Sequence, residues 1–301
     1  STLSVPPFFT PKKEDGSWRP YAELIGFPFS PSSTLNPIAT AKEQLNKTQL
    51  DRIIGNLSLN YEIVENLTAK VSMGVDNVSD TEDNYNPRTI RWGLPSGAGS
   101  NSKEGTMSIV NDNTLNYNTT LRGNDEIDVT AGFSYEHEEN RSLYGSASNF
   151  VTDKLENYAL SSGENYSAPS LGFSEWTLLS GIARVHYSLN DKYLFTATGR
   201  MDGSSRFAEG NKLGFFPSGA FAWRLSEEDF IEQNYDQISN LKLRLSWGIS
   251  GNQAISPYQS LQRWASTRVA FGGTPTTGFT PANLGNPNLK WETTEQLDIG
   301  V

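Results

Sequence analysis

Apolar and polar residues alternate along several stretches of the chain, and the clearest stretch begins at Ile53. Its odd-numbered positions are apolar or small: Ile53, Gly55, Leu57, Leu59, Tyr61 and Ile63. Its even-numbered positions, apart from Ile54, are polar: Asn56, Ser58, Asn60 and Glu62. Because successive side chains of a β-strand point to opposite faces, a period of two predicts a strand with one apolar face.

The same alternation resumes in the same phase at Leu67 and continues to Val75, so Val64-Glu65-Asn66 is predicted to form a tight hairpin turn. Similar hairpins are predicted around the turns Gly123-Asn124-Asp125 and Asn190-Asp191-Lys192. Their strands cover 115–121, 127–135, 179–189 and 193–201, and further strands are predicted at 215–225, 241–249 and 289–301. The pattern therefore predicts an all-β, antiparallel protein of about nine strands.

The predicted connections alternate between tight turns and long polar stretches. The long stretches cover about 77–113, 137–175 and 251–288, and residues 1–50, rich in Pro, Ser and Thr, are predicted to be mainly another loop. Soluble sandwiches seldom use so many long loops, whereas outer-membrane barrels combine short periplasmic turns with long extracellular loops. One exception is 226–240, where Ser226-Glu227-Glu228-Asp229 predicts a helix cap that leads into a short helical turn.

The composition agrees with a barrel wall and argues against several other classes of protein. Hydrophobic residues make up 36% of the chain, and the mean hydropathy is -0.50. No window approaches the roughly 18 apolar residues of a membrane-spanning helix, but a barrel strand spans the membrane with about 10 residues and shows lipid one face only. The chain has no cysteine for a disulfide or a thiolate metal site. Its net charge of -10 argues against nucleic acid as a partner.

Residues with the chemistry of a catalytic or metal site are sparse. His137 and His186 are the only histidines, and neither has the spacing of a zinc motif, so we expect no zinc site. An acidic run could hold calcium, although it lacks the spacing and central glycine of an EF-hand loop: Asp76, Asp80, Glu82 and Asp83. No phosphate-binding, dinucleotide-binding or nucleophile-elbow motif is present, so we expect no cofactor.

Several segments in the second half of the chain resemble signatures of the SusC-like (SusC/RagA) branch of the TonB-linked outer-membrane transporters. The most specific runs from Tyr193 to Phe207, with the sequence YLFTATGRMDGSSRF. Others follow in the order of the family: 214–218 (GFFPS), 222–228 (AWRLSEE), 243–248 (LRLSWG), 251–253 (GNQ), 285–292 (GNPNLKWE) and 296–300 (QLDIG). With a weaker likeness around Asn36-Pro37 and over 56–76, the resemblance covers nearly the whole chain.

The resemblance implies that residues 1–301 are part of one plugged transmembrane β-barrel domain, of the class with about 22 strands, in the outer membrane of a Gram-negative bacterium. It implies import of glycans or peptides rather than catalysis, a SusD-like surface lipoprotein as lid, and energy supplied by TonB and its inner-membrane complex. Nothing in the sequence resembles the plug that precedes the barrel in this family, and 299–301 lies inside a strand-like pattern. We therefore expect the plug and the C-terminal strands to lie outside this chain.

Two groups of residues are candidates for contact with substrate. Polar-face and strand-end residues could meet substrate or the barrel lumen, or could pair their charges with one another: Arg184, Arg200, Asp202, Arg206, Lys242 and Arg244. Aromatic residues in predicted loops could stack on sugar rings or pack within their own loops: Trp18, Tyr21, Trp92, Tyr144, Tyr166 and Trp264. Three further tryptophans near predicted strand ends suit an aromatic girdle at the membrane interface: Trp223, Trp247 and Trp291.

Two alternative classes differ from the barrel in what they require of the apolar face. A soluble, secreted β-sandwich carbohydrate-binding module predicts apolar faces packed on each other. A cell-surface glycan-cleaving enzyme requires two carboxylates about 5 to 10 Å apart across a pocket. A barrel instead predicts that the apolar face meets lipid, through residues such as Leu57, Tyr61, Val71, Phe133, Phe195 and Leu245.

Overall fold

The structure of the chain, a computed structural model, describes residues 10–19, 36–90, 97–121, 123–235 and 237–301. Two of the predicted loop aromatics, Tyr21 and Trp92, lie outside these residues. Among the described residues, no helix combines the length and apolar character needed to cross a membrane.

The described part of the chain consists mainly of antiparallel strands. The strands are β1 (Leu45–Val64), β2 (Leu67–Asn86), β3 (Ala98–Thr120), β4 (Glu126–Phe150), β5 (Gly163–Tyr166), β6 (Ser170–Leu189), β7 (Tyr193–Ser204), β8 (Leu213–Arg224), β9 (Lys242–Asn252), β10 (Arg263–Phe271), β11 (Thr274–Asn283) and β12 (Glu292–Gly300). The helices are α1 (Pro37–Glu43) and α2 (Asp229–Glu232), with 3₁₀ segments at Glu156–Ser162 and Leu225–Glu227.

Ten of these strands form one sheet, in which nine follow the order β1-β2-β3-β4-β6-β7-β8-β9-β12 and β5 pairs with β4. Within the described residues, β1 and β12 are its two edges, so the sheet is open. The prediction of about nine antiparallel strands in an open sheet is therefore confirmed. Strands β10 and β11 form a separate two-stranded hairpin.

The tight turns form because their residues tolerate a left-handed backbone. Asn66, at the turn between β1 and β2, has a φ of 67°. Asn190 and Asp191, between β6 and β7, have φ values of 51° and 58°. Two consecutive residues with positive φ match the right-handed twist of the flanking strands, and Asn and Asp adopt this conformation at lower cost than other non-glycine residues.

The long strands correct two of the predicted loops. Strands β2, β3 and β4 extend through most of 77–113 and into 137–150, which the alternation of apolar residues had assigned to connections. The strands β1 to β4 and β6 have 20 to 25 residues each. Only about 9 to 11 residues are needed to span a bilayer, so the polar remainder carries no apolar signal and reads as loop in the sequence.

Two smaller predictions are also corrected. The stretch 251–288, predicted as a loop, contains the hairpin of β10 and β11. The predicted helical turn within 226–240 exists as α2, but Ser226 does not cap it: the N-cap is Glu228, and it makes no side-chain capping hydrogen bond.

The contacts between residues divide the chain into two compact units. Unit 1 comprises 1–53, 77–107 and 140–173. Its core contains the buried Tyr85, Ala147 and Phe150, with Leu45 and Leu160 packed against them. At its N-terminal side, Asn36 caps α1 by accepting from the N–H groups of Ile38 and Ala39 at 3.2 and 3.1 Å.

Unit 2 comprises 54–76, 108–139 and 174–301. Its strand register places apolar residues of neighbouring strands opposite one another. Tyr187 lies opposite Phe195, Phe195 opposite Phe221, and Phe221 opposite Leu245. The apolar face predicted from alternation is therefore continuous from β6 to β9, and Leu297 of β12 extends it opposite Trp247.

This apolar face is exposed. Leu57 is 77% exposed, Phe133 51% and Leu245 44%. The other three residues of the predicted lipid-facing set are exposed as well: Tyr61, Val71 and Phe195. A sandwich would bury these side chains against a second sheet, so the described residues do not have the packing that the soluble alternative predicts.

Candidate functional site

The polar face of β6 to β9 brings several predicted contact residues onto one surface. Because directly opposite residues of antiparallel strands share a face, Arg184 (opposite Thr198), Arg200 (opposite Ile182) and Arg244 (opposite Ala222) lie on the same side of the sheet. Lys242, two residues before Arg244, lies on this side too and faces Arg224. These cations share a face but are spread along it, since Arg184 and Arg244 lie three strands apart.

Arg200 and Asp202 form an ion pair on this surface. Nε of Arg200 donates to Oδ2 of Asp202 at 2.8 Å, and a terminal nitrogen of Arg200 donates to Oγ of Ser180 at 2.9 Å. Asp202 is 6% exposed. The side chains are two residues apart on one strand and point to the same face, so the strand itself sets the pairing. Charge pairing, the alternative to substrate contact, is thus present for these two residues.

Arg206 lies just beyond β7 and joins three segments of unit 2. Its guanidinium carbon lies 4.2 Å from the centroid of the Trp176 ring. One terminal nitrogen donates to the carbonyl oxygens of Gln253 and Ile255 at 3.2 and 3.0 Å. Burial lowers the pKa of Arg206, but a guanidinium remains protonated in proteins. Arg206 therefore holds the segment after β9 against β6.

Trp176 is fixed by its own polar partner. Its indole Nε1 donates to Oε1 of Glu138 on β4 at 3.0 Å, and its side chain is buried. Beside it, the backbone N–H of Thr177 donates to Oγ of Ser205 at 2.8 Å. The first contact ties β6 to β4, and the second ties the connection between β7 and β8 to β6.

Trp291 does not belong to an aromatic girdle, contrary to the prediction. Its ring centroid lies 4.9 Å from that of Phe207 and 5.2 Å from that of Phe216, and both phenylalanines are buried. Its Nε1 donates to the carbonyl oxygen of Lys212 at 3.0 Å. Packing against buried rings, rather than proximity to a strand end, determines its position.

Trp223 and Trp247 do lie on the apolar face, opposite Tyr193 and Leu297. Nε1 of Trp223 donates to Oε1 of Glu228 at 3.0 Å, and Tyr193 donates to the same oxygen at 2.6 Å. These hydrogen bonds hold the pKa of Glu228 below its ordinary value. Trp223, at the end of β8, has one satisfied polar atom and suits the boundary between lipid and water. Trp247 lies in the middle of β9, so the prediction that it lies near a strand end is wrong.

Unit 1 contains a polar groove that the sequence did not reveal as a site. It encloses about 330 Å³. It is lined by Asn84, Asn86, Ala98, Gly99, Ser100, Tyr144, Ser146, Ala147, Ser148, Asn165, Tyr166 and Ser167. Tyr144 and Tyr166 were predicted as loop aromatics; the structure places them on β4 and β5 and brings them to one groove.

The residues that line the groove determine which ligands it can bind. Three amides and four hydroxyl groups from serine offer both donors and acceptors, and two exposed tyrosines offer flat apolar surface. No carboxylate lines it among the described residues, so it has neither a general acid nor a nucleophile for glycoside cleavage. The groove is therefore equipped to bind a neutral polar ligand.

The predicted loop tryptophans differ in environment. Trp18 packs within unit 1: Nζ of Lys12 lies 4.7 Å from its ring centroid, and its Nε1 donates to Glu43. Trp264 lies on β10, opposite Pro281, and is 60% exposed. Trp264 thus offers an accessible aromatic surface, whereas Trp18 already has partners.

The acidic run proposed as a calcium ligand set lies along β2. At about 3.3 Å per residue, Asp76 and Asp83 are roughly 23 Å apart, and neighbouring residues alternate between faces. A strand cannot wrap these carboxylates around one ion. Within the described ranges, the only group of three metal-ligating side chains is His137, Glu139 and Glu175.

Comparison with known proteins identifies the family of this sheet. Residues 6–301 match the family model described as TonB dependent receptor-like, beta-barrel. The chain is 34% identical over 88% of its length to TonB-dependent receptor P3 of Formosa agariphila, and 32% identical over its full length to TonB-dependent receptor P26 of the same organism. It is 30% identical over 90% of its length to TonB-dependent receptor SusC of Bacteroides thetaiotaomicron.

The chain spans 26 to 30% of the length of these three relatives. Among solved structures, 98% of the chain superposes on 32% of a chain in the structure of the RagAB peptide transporter, with a TM-score of 0.84 and 22% identity. That likeness concerns the fold, an antiparallel barrel wall with one apolar and one polar face. By its sequence match and its strand architecture, the chain belongs to the TonB-dependent receptor β-barrel family.

Proposed function

We propose that this chain is part of the barrel wall of a transporter that imports glycans or peptides across the outer membrane of a Gram-negative bacterium. The observation that carries the proposal is the continuous, exposed apolar face of a sheet whose opposite face is polar. Such a surface is unstable in water at this size, and lipid is the solvent that stabilises it.

The polar face is proposed to line the lumen. Arg184, Lys242 and Arg244 are the best candidates for contact with substrate or plug, because they lie on this face and, among the described residues, form no ion pair of the kind that engages Arg200. Arg206 and Asp202 are proposed to shape the lumen through their neighbours, since both are held by protein contacts.

The groove of unit 1 is proposed to contact substrate. Its amides, hydroxyl groups and tyrosines fit a glycan or the backbone of a peptide, which present hydrogen-bonding groups without a required charge. The exposed Trp264 offers a second stacking surface, while Trp18 and Trp92 remain candidates from the sequence. RagAB, whose fold the chain shares, is a peptide transporter, which supports a peptide as one of the two ligand classes.

The proposed transporter requires partners outside this chain. Since its relatives are TonB-dependent receptors, we propose that TonB and its inner-membrane complex energise the intact protein through a plug domain. A SusD-like surface lipoprotein is proposed as lid, in keeping with the likeness to SusC and to the RagAB structure. We propose no cofactor, no catalysis and no contact with nucleic acid.

The experiment compares two tyrosines of unit 1 in the full-length protein. Tyr166 lines the groove and is 75% exposed, whereas Tyr158 is 76% exposed but lies outside the groove lining. In a strain that lacks the native gene, each variant is tested for uptake of labelled oligosaccharide and peptide pools. Tyr166→Ala should reduce the uptake of one pool about tenfold, the loss expected from one stacking contact of about 1–2 kcal/mol, and Tyr158→Ala should not.

Two outcomes would contradict the proposal at different levels. If the wild-type protein supports uptake of neither pool, or supports it without TonB, the transport function is wrong. If uptake occurs but both tyrosine variants retain it, transport stands and the groove is not a substrate contact.

A further inference from the structure

His137, Glu139 and Glu175 bring three metal-ligating side chains together on neighbouring strands. His137 and Glu139 lie two residues apart on β4 and therefore on the same face, and Glu175 lies on β6, the next strand in the sheet. One ring nitrogen of His137 and one carboxylate oxygen of each glutamate lie within 4.8 Å of one another. This convergence is independent of the proposed lumen and groove.

The imidazole of His137 has a hydrogen-bonding partner that can fix its tautomer. Nδ1 of His137 lies 3.0 Å from Oγ1 of Thr177. When Nδ1 carries the proton and donates to this hydroxyl, Nε2 keeps the lone pair that binds a metal. The ring of Tyr135 stacks beside the imidazole, with centroids 6.4 Å apart and planes inclined by 14°.

The orienting threonine is itself fixed. The backbone N–H of Thr177 donates to Oγ of Ser205 at 2.8 Å, and the N–H of Ser205 donates to the carbonyl oxygen of Thr177 at 2.9 Å. These bonds fix the backbone from which the Thr177 hydroxyl reaches Nδ1 of His137. Metal-ligating histidines are typically oriented by such hydrogen-bonded neighbours.

Glu175 is anchored from the other side. Its backbone N–H donates to the hydroxyl of Tyr258 at 3.0 Å, in the connection between β9 and β10. The backbone is thus held while the exposed carboxylate keeps freedom to approach an ion. Ligand atoms around a tetrahedral zinc ion lie about 3.3 Å apart, so only a small movement of the glutamate side chains is needed.

The ligand set selects the kind of ion. One imidazole and two carboxylates suit a borderline divalent ion such as Zn²⁺, whereas Ca²⁺ prefers about six to eight oxygen ligands. We propose that His137, Glu139 and Glu175 form a zinc site that ties β4 to β6, with water completing the coordination.

The consequence of the site is mechanical. An ion at this point joins two adjacent strands and, through the Glu175–Tyr258 hydrogen bond, braces the segment after β9. Zinc would therefore slow local opening of this part of unit 2 without taking part in the proposed transport of substrate.

The test uses the full-length protein in detergent, freed of metal by chelation, and titrates it with Zn²⁺ by calorimetry. His186 provides the matched control, since its Nδ1 lies 2.9 Å from Oγ1 of Thr196 but it belongs to no comparable group in the described residues. The wild type and His186→Asn should bind one more equivalent of Zn²⁺ than His137→Asn. Glu175→Gln should weaken that site at least tenfold.

A second readout separates loss of the site from loss of the fold. Saturating Zn²⁺ should raise the unfolding temperature of the wild type and of His186→Asn, while the His137→Asn protein should unfold at a temperature that does not depend on Zn²⁺. Equal zinc binding by the wild type and His137→Asn, or no zinc binding by the wild type, would overturn the proposal.

Discussion

The ring of Phe216 packs so closely on the backbone of Gly251 that a methyl group on Gly251 would overlap the ring. Phe216 is 6% exposed, and its ring also meets that of Trp291. Both Gly251 and Phe216 fall in segments that resemble family signatures, GNQ and GFFPS. Glycine is required here by close approach of an aromatic side chain, not by an unusual backbone angle.

Gly251→Ala should therefore destabilise the protein. Since the buried ring cannot move without displacing Trp291, we expect a loss of about 1–3 kcal/mol, the usual cost of overpacking. Gly181→Ala on β6 is the control, because a methyl group there meets no atom within 4 Å. Unfolding of the full-length protein in urea, in lipid nanodiscs, measures both variants, and equal midpoints would show that Phe216 is not confined.

The apolar face supports a sharper prediction from two adjacent residues of β7. Phe195 lies on the exposed apolar face and Thr196 on the polar face, where it lies opposite His186. An arginine near the bilayer midplane on a lipid-facing position costs about 2–4 kcal/mol, whereas a lumen-facing position tolerates it. Phe195→Arg should therefore reduce the yield of folded barrel in the outer membrane much more than Thr196→Arg.

The measurement is the fraction of protein that resists SDS at room temperature and shifts in mobility on heating. A reversed order of the two variants would mean that the faces are assigned the wrong way round, and no difference would mean that neither faces lipid.

The sequence predicts this fold most accurately where one face of a strand is apolar. The alternation around Leu57 and Phe195 predicted the strands and their apolar face correctly, because an exposed apolar face requires an apolar residue at every second position. It failed for 137–150, where polar residues predominate on both faces of β4 and the few apolar residues, such as Ala147 and Phe150, follow no period of two.

The two candidate sites were hidden for a different reason. His137 and Glu175 lie 38 residues apart, and only the adjacency of β4 and β6 brings them together. The groove likewise joins Asn84 to Asn165 through strand pairing. The alternation of Asn84 and Asn86 was a usable signal for a polar face, but no local pattern encodes which distant strand completes it.

The contact between Arg206 and Trp176 predicts a local change in dynamics. A partly desolvated cation–π contact contributes about 2 kcal/mol, and the guanidinium also serves two carbonyl oxygens. Arg206→Lys keeps the charge but loses the planar group that makes both contacts. Amide exchange over 253–262 in the full-length protein should become about tenfold faster or more.

Arg184→Lys is the control for this experiment, because Arg184 is exposed on β6 and far from 253–262 in the strand register. Its exchange pattern over 253–262 should match that of the wild type. Unchanged exchange in Arg206→Lys would show that charge alone, or neighbouring contacts, holds the segment.

Asp153 supports a prediction about pH in the connections of unit 1, outside the parts of the strands proposed to span the membrane. Burial raises its pKa, but hydrogen bonds from the backbone N–H of Arg88, the hydroxyl of Tyr85 and the Arg88 guanidinium outweigh burial and hold the pKa below its ordinary value. Burial and the nearby Asp153 also raise the pKa of Tyr85, so Tyr85 stays a donor. The Arg88 and Asp153 side chains are 41% and 27% exposed, which limits the ion pair to about 1 kcal/mol.

The direction of the pH effect follows from the lowered pKa of Asp153. A carboxylate with a depressed pKa in the folded state contributes its full stability above the unfolded value of about 3.9 and loses it as the pH falls through the folded value. Asp153→Asn should therefore speed amide exchange around Arg88 by a constant factor between pH 7 and 5, after correction for intrinsic rates. The difference from wild type should disappear only well below pH 4.

Asp191→Asn is the control for this experiment. It removes a long, exposed contact with Arg224 at 3.8 Å, so the amide exchange of the neighbouring residues should change little at any pH. A difference that fades already between pH 6 and 5 would mean that Asp153 has a raised rather than a lowered pKa.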